Sequence, residues 1–203
     1  MIRPVTILMI RHATTPKVGK GLTGWLPGIS LDENGRNQAE RLAVRLRKAP
    51  IASIYSSPLE RTVETALPLA RDKGLEIIRK AEFGEVHFGT WQGKDFPEIE
   101  QDSRWPLFNE YRSGTRAPEG ELMLETQARM VRGLLELAPK HENETVAVFS
   151  HADAIKSAVA HFLGIPLDFH NRLEILPVSI TTVELFRNQP LVRSVNVMNI
   201  TEY

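Results

Sequence analysis

The stretch VTILMIRHATTPKVGKGLTGW (residues 5–25) begins as an almost unbroken apolar, β-branched run and stops abruptly at Arg11 and His12. Apolar side chains at consecutive positions, bounded by polar residues, predict a short strand buried on both faces of a parallel sheet. In open sheets of that kind ligands collect beyond the carboxyl ends of the strands, so a cation beside an imidazole at such an end marks a candidate site. The Thr/Pro/Gly/Lys segment that follows has no hydrophobic period and reads as loop.

The same alternation continues along the chain. A helix is expected from about Glu33, where Ala39, Leu42, Ala43 and Leu46 repeat at i, i+3, i+4 and i+7. IASIYSS (51–57) reads as a second strand. SPLE (57–60) then predicts a helix start, with Ser57 as cap, Pro58 in the first turn and Glu60 closing a capping box. Val63, Ala66, Leu67 and Ala70 form its expected buried stripe. LEIIR (75–79) and TVAVFS (145–150) supply two more strands. Before the latter lies a helix from about Leu122 to Ala138, carrying Ala128, Val131, Leu134, Leu135 and Ala138. Ile155, Ala158, Val159 and Phe162 mark another helix that ends at Gly164. VSITTVELF (178–186) and LVRSVNVM (191–198), joined through RNQP, predict a hairpin at one end of the sheet. Strands alternating with helices indicate an α/β fold with right-handed crossovers. Residues 84–120, rich in Gly, Pro, Trp and charge with a short helical possibility near Glu98, fit a lid or binding insertion within a single domain spanning 1–203.

Composition narrows the function classes. The 203 residues carry 25 Lys+Arg against 25 Asp+Glu, so nothing global attracts nucleic acid or an anionic membrane, and any anion site must be local. The chain contains no Cys, which removes disulfides, thiolate nucleophiles and Cys-based zinc sites and fits a cytosolic enzyme. Val5 to Ile10 is too short for a signal peptide's apolar region with its cationic flank, and no stretch approaches the roughly 20 apolar residues of a membrane helix.

Three expected strands deliver polar residues to one rim. The first ends at Arg11-His12, the second leads through Ser56-Ser57 to Arg61 one turn into a helix, and the fourth ends at Ser150-His151 before a helix. Two guanidiniums, two imidazoles and helix N-termini on one rim suit phosphate. Arg11 and Arg61 can neutralise nonbridging oxygens with His151, leaving His12 to attack phosphorus and form a phosphohistidine. Glu85, in FGEVHFGTWQGK (83–94), is the best-placed carboxyl to protonate the leaving alkoxide, since burial in a folded-over loop would raise its pKa.

The ordered set ILMIRHATT (7–15), LTGWLPGISLDENGRNQAERLAVRL (22–46), IYSSPLERTVETALPLA (54–70), EFGEVHFGTWQGK (82–94), PEGELMLETQARM (118–130) and VAVFSHADAIKSAVAHFLGI (146–165) resembles the histidine phosphatase superfamily, also called the phosphoglycerate mutase-like family. That resemblance implies a three-layer α/β/α sandwich with a mostly parallel central sheet and an antiparallel edge. It also implies His12 as the phosphorylated nucleophile, Arg11, Arg61 and His151 as the phosphate pocket, and Glu85 as the proton donor. Thr15, Thr23 and Gly24 sit where family members contact phosphate or substrate, and Ala152 stands where Gly commonly follows the second His. Ala13 replaces the usual Gly after the first His, which a methyl permits unless the residue takes positive φ. Val18 stands where many members carry a phosphate-contacting Asn. Lys17 and Lys20 offer contacts to a second anionic group or form a solvated face.

The reading favoured is a cofactor-free, metal-independent phosphomonoesterase acting on a small phosphorylated metabolite. A phosphomutase using the same phosphohistidine is the alternative; family mutases carry a longer insertion with a cationic cluster, whereas Arg104, Arg112 and Arg116 are dispersed here. A catalytically silent phospho-ligand binding module ranks lower, because all five chemical positions hold competent residue types. No His-Glu-x-x-His motif supports a metalloenzyme. Substrate specificity is expected from residues 92–120, where Trp105, Phe108, Tyr111 and Arg112 either line a lid or form an ordinary packed aromatic cluster.

Overall fold

The computed structural model describes residues 4–186 and 189–198. The opening stretch forms β1 (Val5–Arg11), and its side chains divide between two cores as a strand buried on both faces must. Val5, Ile7 and Met9 enter one apolar cluster, and Leu8 and Ile10 enter the other. β1 lies at the centre of a sheet whose order is β3-β2-β4-β1-β5-β6, with β2 (Ile51–Ser56), β3 (Ile77–Arg79), β4 (Thr145–Ser150), β5 (Ile180–Leu185) and β6 (Pro190–Val197). β1, β2, β3 and β4 run parallel, and β5 and β6 add an antiparallel edge. The expected hairpin is therefore present, although Arg187 and Asn188 of its RNQP connection lie outside the described residues.

Helices cover both faces, giving the three-layer α/β/α arrangement. α1 (Glu33–Leu46) and α2 (Glu60–Lys73) pack on one face through Ala39, Leu42, Ala43, Leu46, Ala66 and Leu69. The opposite face is covered by α5 (Met123–Leu135) and α6 (Ala152–Leu163), through Met130, Val131, Leu134, Ile155 and Val159. Between them the chain forms α3 (Phe96–Ile99) and α4 (Arg104–Glu110). α3 meets the expectation near Glu98; α4 was not foreseen, because a seven-residue helix containing Pro106 shows too little of a helical period.

Three local expectations need correction. Ser57 and Glu60 do not form a capping box: α2 starts at Glu60 with Leu59 as its N-cap, the Ser57 hydroxyl meets His151, and the Glu60 carboxylate accepts from the Gly28 N–H at 3.0 Å. Tertiary partners outcompete the local cap. On α2 the buried face includes Leu69 while Leu67 is exposed, and on α5 Leu135 and Ala128 point to solvent while Met123, Met130 and Gly133 are buried. Ala66, Ala70, Val131 and Leu134 are buried as expected, so each stripe lies on the expected face and only residues at its edge were misassigned.

Residues 84–120 have their own small core. Val86, Phe88, Trp91, Ile99 and Phe108 pack with Met123 and Leu167, and the Trp91 indole donates to Asp102 at 2.9 Å. The Trp91 and Phe108 rings meet at 5.2 Å, and the Trp105 and Phe108 rings stack at 5.9 Å. Aromatic burial thus orders a segment that lacks regular periodicity.

Candidate active site

Strand register brings the polar residues together. Arg11 pairs with Ser150 across parallel β1 and β4, and the His12 N–H donates to the Ser150 carbonyl at 2.9 Å, which sets His12 beside His151. Their rings meet edge-on at 5.3 Å. On the far side of β4, Ser56 pairs with Phe149, and the Ser57 N–H donates to the Phe149 carbonyl at 2.9 Å, so Ser57 and the start of α2 reach the same rim.

The loop after His12 is fixed by α1. Asp32, the N-cap of that helix, accepts from the Gly35 N–H at 2.6 Å and from the Thr14 hydroxyl at 2.8 Å. A Cβ on Gly35 would lie 2.1 Å from the Thr14 carbonyl oxygen, so the close approach of helix and loop requires glycine there. Ala13 is buried, is absent from the positive-φ residues, and donates its N–H to Thr65 Oγ1 at 3.0 Å. Its methyl therefore imposes no backbone strain.

His12 is held in one tautomer. Its Nδ1 lies 2.7 Å from the Ala13 carbonyl oxygen, which can only accept, so Nδ1 carries the proton and Nε2 presents a lone pair. Burial, reinforced by the nearby Arg61 and Arg11 charges, holds its pKa well below the usual imidazole value and keeps the ring neutral. His151 is neutral for the same leading reason, with Arg61 again adding to the effect. Its Nε2 lies 2.9 Å from Ser57 Oγ, which itself accepts weakly from the Leu59 N–H at 3.4 Å. The Ser57 hydroxyl can donate to Nε2, an arrangement that would leave the His151 proton on Nδ1.

Arg11 donates through Nη1 to the Ile175 carbonyl at 2.7 Å, and Arg61 through Nη2 to the Gly24 carbonyl at 2.7 Å. Arg61 is only 1% exposed, and burial lowers its pKa to about 10 against the opposing charge of Glu85, so it remains a cation at neutral pH. Arg11 Nε and Arg61 Nε and Nη1 are buried donors, and His151 Nδ1 is a buried ring nitrogen, with no hydrogen-bond partner among the described protein groups. Unpaired buried cations are costly, and an oxyanion with several acceptor oxygens is the complementary ligand.

A cavity of about 300 Å³ opens onto this cluster. Arg11, His12, Thr15, Thr23, Gly24 and Ala152 line it as expected, and so does Glu85. Arg61 and His151 sit buried behind that lining. Burial, followed by the Asp153 charge, pushes the Glu85 carboxyl up to about 7, while Arg61 and Arg11 pull the other way. Asp153 is ionised: burial disfavours its charge, but His170 at 3.6 Å and Arg112 at 3.4 Å outweigh that and hold its pKa well below the usual carboxylate range.

The outer candidates separate. Trp105, Arg112, Lys17 and Val18 line the cavity, with Lys17 paired to Asp95 at 2.8 Å. Phe108 lies wholly buried beneath it, Tyr111 is half exposed, and Lys20 is exposed and outside the lining. Sequence reading missed Asp153, Asn109, Phe88 and Phe96 in the wall and Ser57 as partner of His151. Asp153, two residues beyond His151, is the one of these whose position alone offered a clue.

The comparisons agree with this geometry. The family model for the histidine phosphatase superfamily (branch 1) matches residues 7–198. Phosphoserine phosphatase 1 of Hydrogenobacter thermophilus is 31% identical over 169 residues, covering 80% of this chain and 78% of the relative. A probable phosphoglycerate mutase GpmB of Escherichia fergusonii is 27% identical over 186 residues, covering 90% and 86%. The solved structure of Bacillus stearothermophilus YhfR superposes with a TM-score of 0.88 at 27% identity, covering 97% of this chain and 98% of that one. With the motif order, the sheet topology and the family match in agreement over nearly the whole chain, the protein belongs to the histidine phosphatase superfamily.

Proposed function

We propose that the protein is a phosphomonoesterase that hydrolyses a small phosphorylated metabolite through a phosphohistidine on His12. The observation that carries this reading is the Nδ1 hydrogen bond of a neutral, buried His12, which leaves the Nε2 lone pair beside two guanidiniums with unpaired donors. The unpaired N–H groups of Arg11, Arg61 and His151 take the nonbridging oxygens as charge builds on them. His12 Nε2 forms a bond to phosphorus while the ester P–O bond breaks, and Glu85 gives its proton to the departing alkoxide. The ionised Glu85 then takes a proton from water, the hydroxide oxygen bonds phosphorus, and the P–N bond breaks. Inorganic phosphate leaves with His12 and Glu85 restored.

Transfer to a second hydroxyl, the mutase alternative, is less well supported. A phosphorylated acceptor needs uncompensated cations beyond the phosphate pocket, and the two cations that line the outer part of the cavity, Lys17 and Arg112, are both ion-paired, as are Arg104 and Arg116 of the insertion. Arg104 pairs with Asp102 at 2.6 Å, Arg116 with Glu125 at 2.7 Å, and pocket-lining Lys17 and Arg112 with Asp95 and Asp153.

The deciding experiment follows the fate of the phosphoryl group after it is loaded from a generic ester. We expect release as inorganic phosphate with unchanged efficiency when glycerate or sugar acceptors are added; quantitative transfer to an acceptor would establish the mutase instead. kcat/KM is expected to hold at mildly acidic pH, where His12 stays neutral, and to fall as pH rises through about 7 and Glu85 loses the proton it must donate.

A further inference from the structure

The acid loop is held by something that the phosphate chemistry does not use. Arg129 projects from α5 and is fully engaged. Its Nη1 donates to the Glu82 carbonyl at 3.1 Å and to the Gly84 carbonyl at 2.7 Å, and its Nη2 donates to the Glu85 carbonyl at 2.6 Å. Nε and Nη2 also reach the two Glu121 carboxylate oxygens at 2.9 and 3.0 Å, which fixes the plane of the guanidinium. One planar group therefore grips three backbone carbonyls of the four residues ending at Glu85. A lysine ammonium, lacking the fork, cannot reproduce that span.

A second donor arrives from the other wall of the pocket. The Trp25 indole N–H also donates to the Glu85 carbonyl, and its ring stacks on His87 at 4.3 Å. A Cβ on Gly84 would lie 2.1 Å from the Trp25 ring, so the absence of a side chain there admits the indole. Trp25 directly follows Gly24, whose carbonyl binds Arg61, and its own N–H donates to Gln92 at 2.7 Å. The loop that holds a phosphate-pocket arginine is thus tied to the loop that carries the acid.

We infer that Arg129 and Trp25 are positioning residues, a two-donor clamp on the Glu85 carbonyl that aims the carboxyl at the leaving-group oxygen. The inference rests on the proposed acid role of Glu85. Proton transfer needs heavy atoms within about 3 Å of each other, and a loop free to shift by an ångström loses that contact while the phosphate pocket, built on strand ends, keeps its own.

The test is kcat/KM for an alkyl phosphate, whose departure needs the proton, against 4-nitrophenyl phosphate, whose leaving group departs without it. Three variants are compared with the parent: Arg129→Lys, Trp25→Phe and Glu85→Gln. Inhibition by inorganic phosphate monitors the phosphate pocket. Glu85→Gln is expected to lose about 10²-fold or more on the alkyl ester and little on the aryl ester. Arg129→Lys and Trp25→Phe are expected to lose about 10-fold on the alkyl ester in the same selective way, with phosphate inhibition unchanged. Equal losses on both esters in the two clamp variants, with Glu85→Gln still selective, would overturn the clamp and leave the acid role standing. A non-selective Glu85→Gln would overturn the acid role, and the clamp with it. Should Arg129→Lys fold poorly, Trp25→Phe, at a partly exposed position, decides the matter alone.

Discussion

Two sides of the pocket are built by different means. On one side Arg11, His12, Ser57 and His151 stand at the carboxyl ends of adjacent parallel strands, where the sheet's hydrogen bonds set their spacing. On the other side Glu85 comes from a segment with no strand or long helix to hold it, fixed instead by donors to its backbone carbonyl and by the aromatic core beneath. On the proposed mechanism the first arrangement would supply charge neutralisation and a nucleophile that need not move. On the same mechanism the second would supply an acid whose position and protonation depend on distant side chains, on the side where specificity could vary without disturbing the phosphate chemistry.

The contrast can be broken most severely at the strand-end side. Arg61→Lys keeps the charge but loses the fork that binds the Gly24 carbonyl and presents the unpaired donors; we expect kcat/KM to fall by about 10²–10³-fold, equally for alkyl and aryl phosphates. A loss confined to poor leaving groups would erase the distinction between the two sides. On the other side Phe108 is fully buried and lies beneath Arg112, whose guanidinium sits 4.5 Å from its ring centre. Phe108→Ala should cost about 3 kcal/mol or more by denaturant titration while sparing phosphate inhibition of the folded protein. A cost below about 1 kcal/mol would mean that the insertion's core does not support the fold. The smallest effect tests electrostatics alone. Burial raises the Glu85 pKa most and the Asp153 charge adds to it, while Arg61 and Arg11 oppose. Asp153→Asn should therefore lower the Glu85 pKa and move the alkaline fall of kcat/KM to lower pH, on the order of one unit. A shift to higher pH would contradict that sign.

The strand-end half was legible in the sequence because its physics is local. An apolar run broken by Arg-His or Ser-His reports both burial and the place where burial ends, and β1 and β4 deliver their residues as that pattern predicts. The loop-held half was legible only in its residue types. Glu85 was singled out and does line the cavity, but Arg129 donates to a backbone carbonyl 44 residues away and Trp25 to one 60 residues away, separations that no local period encodes. Ser57 shows the same limit in miniature. Its position before Pro58 and Glu60 suggests a cap, yet its hydroxyl serves His151, 94 residues further on. Lys17 and Arg112 were visible as charges, but their pairing with Asp95 and Asp153 was not, and that pairing bears on the choice between hydrolysis and transfer.

Formation of a covalent phosphohistidine is best probed by rapid acid-free quenching during turnover of an alkyl phosphate, followed by intact-mass measurement and peptide mapping under alkaline conditions. One phosphoryl group per chain, labile to acid and stable to base, is expected on His12, and none in His12→Ala, whose turnover should fall by about 10⁴-fold or more. Normal turnover by His12→Ala, or a phosphoryl group mapped to any other residue, would contradict it.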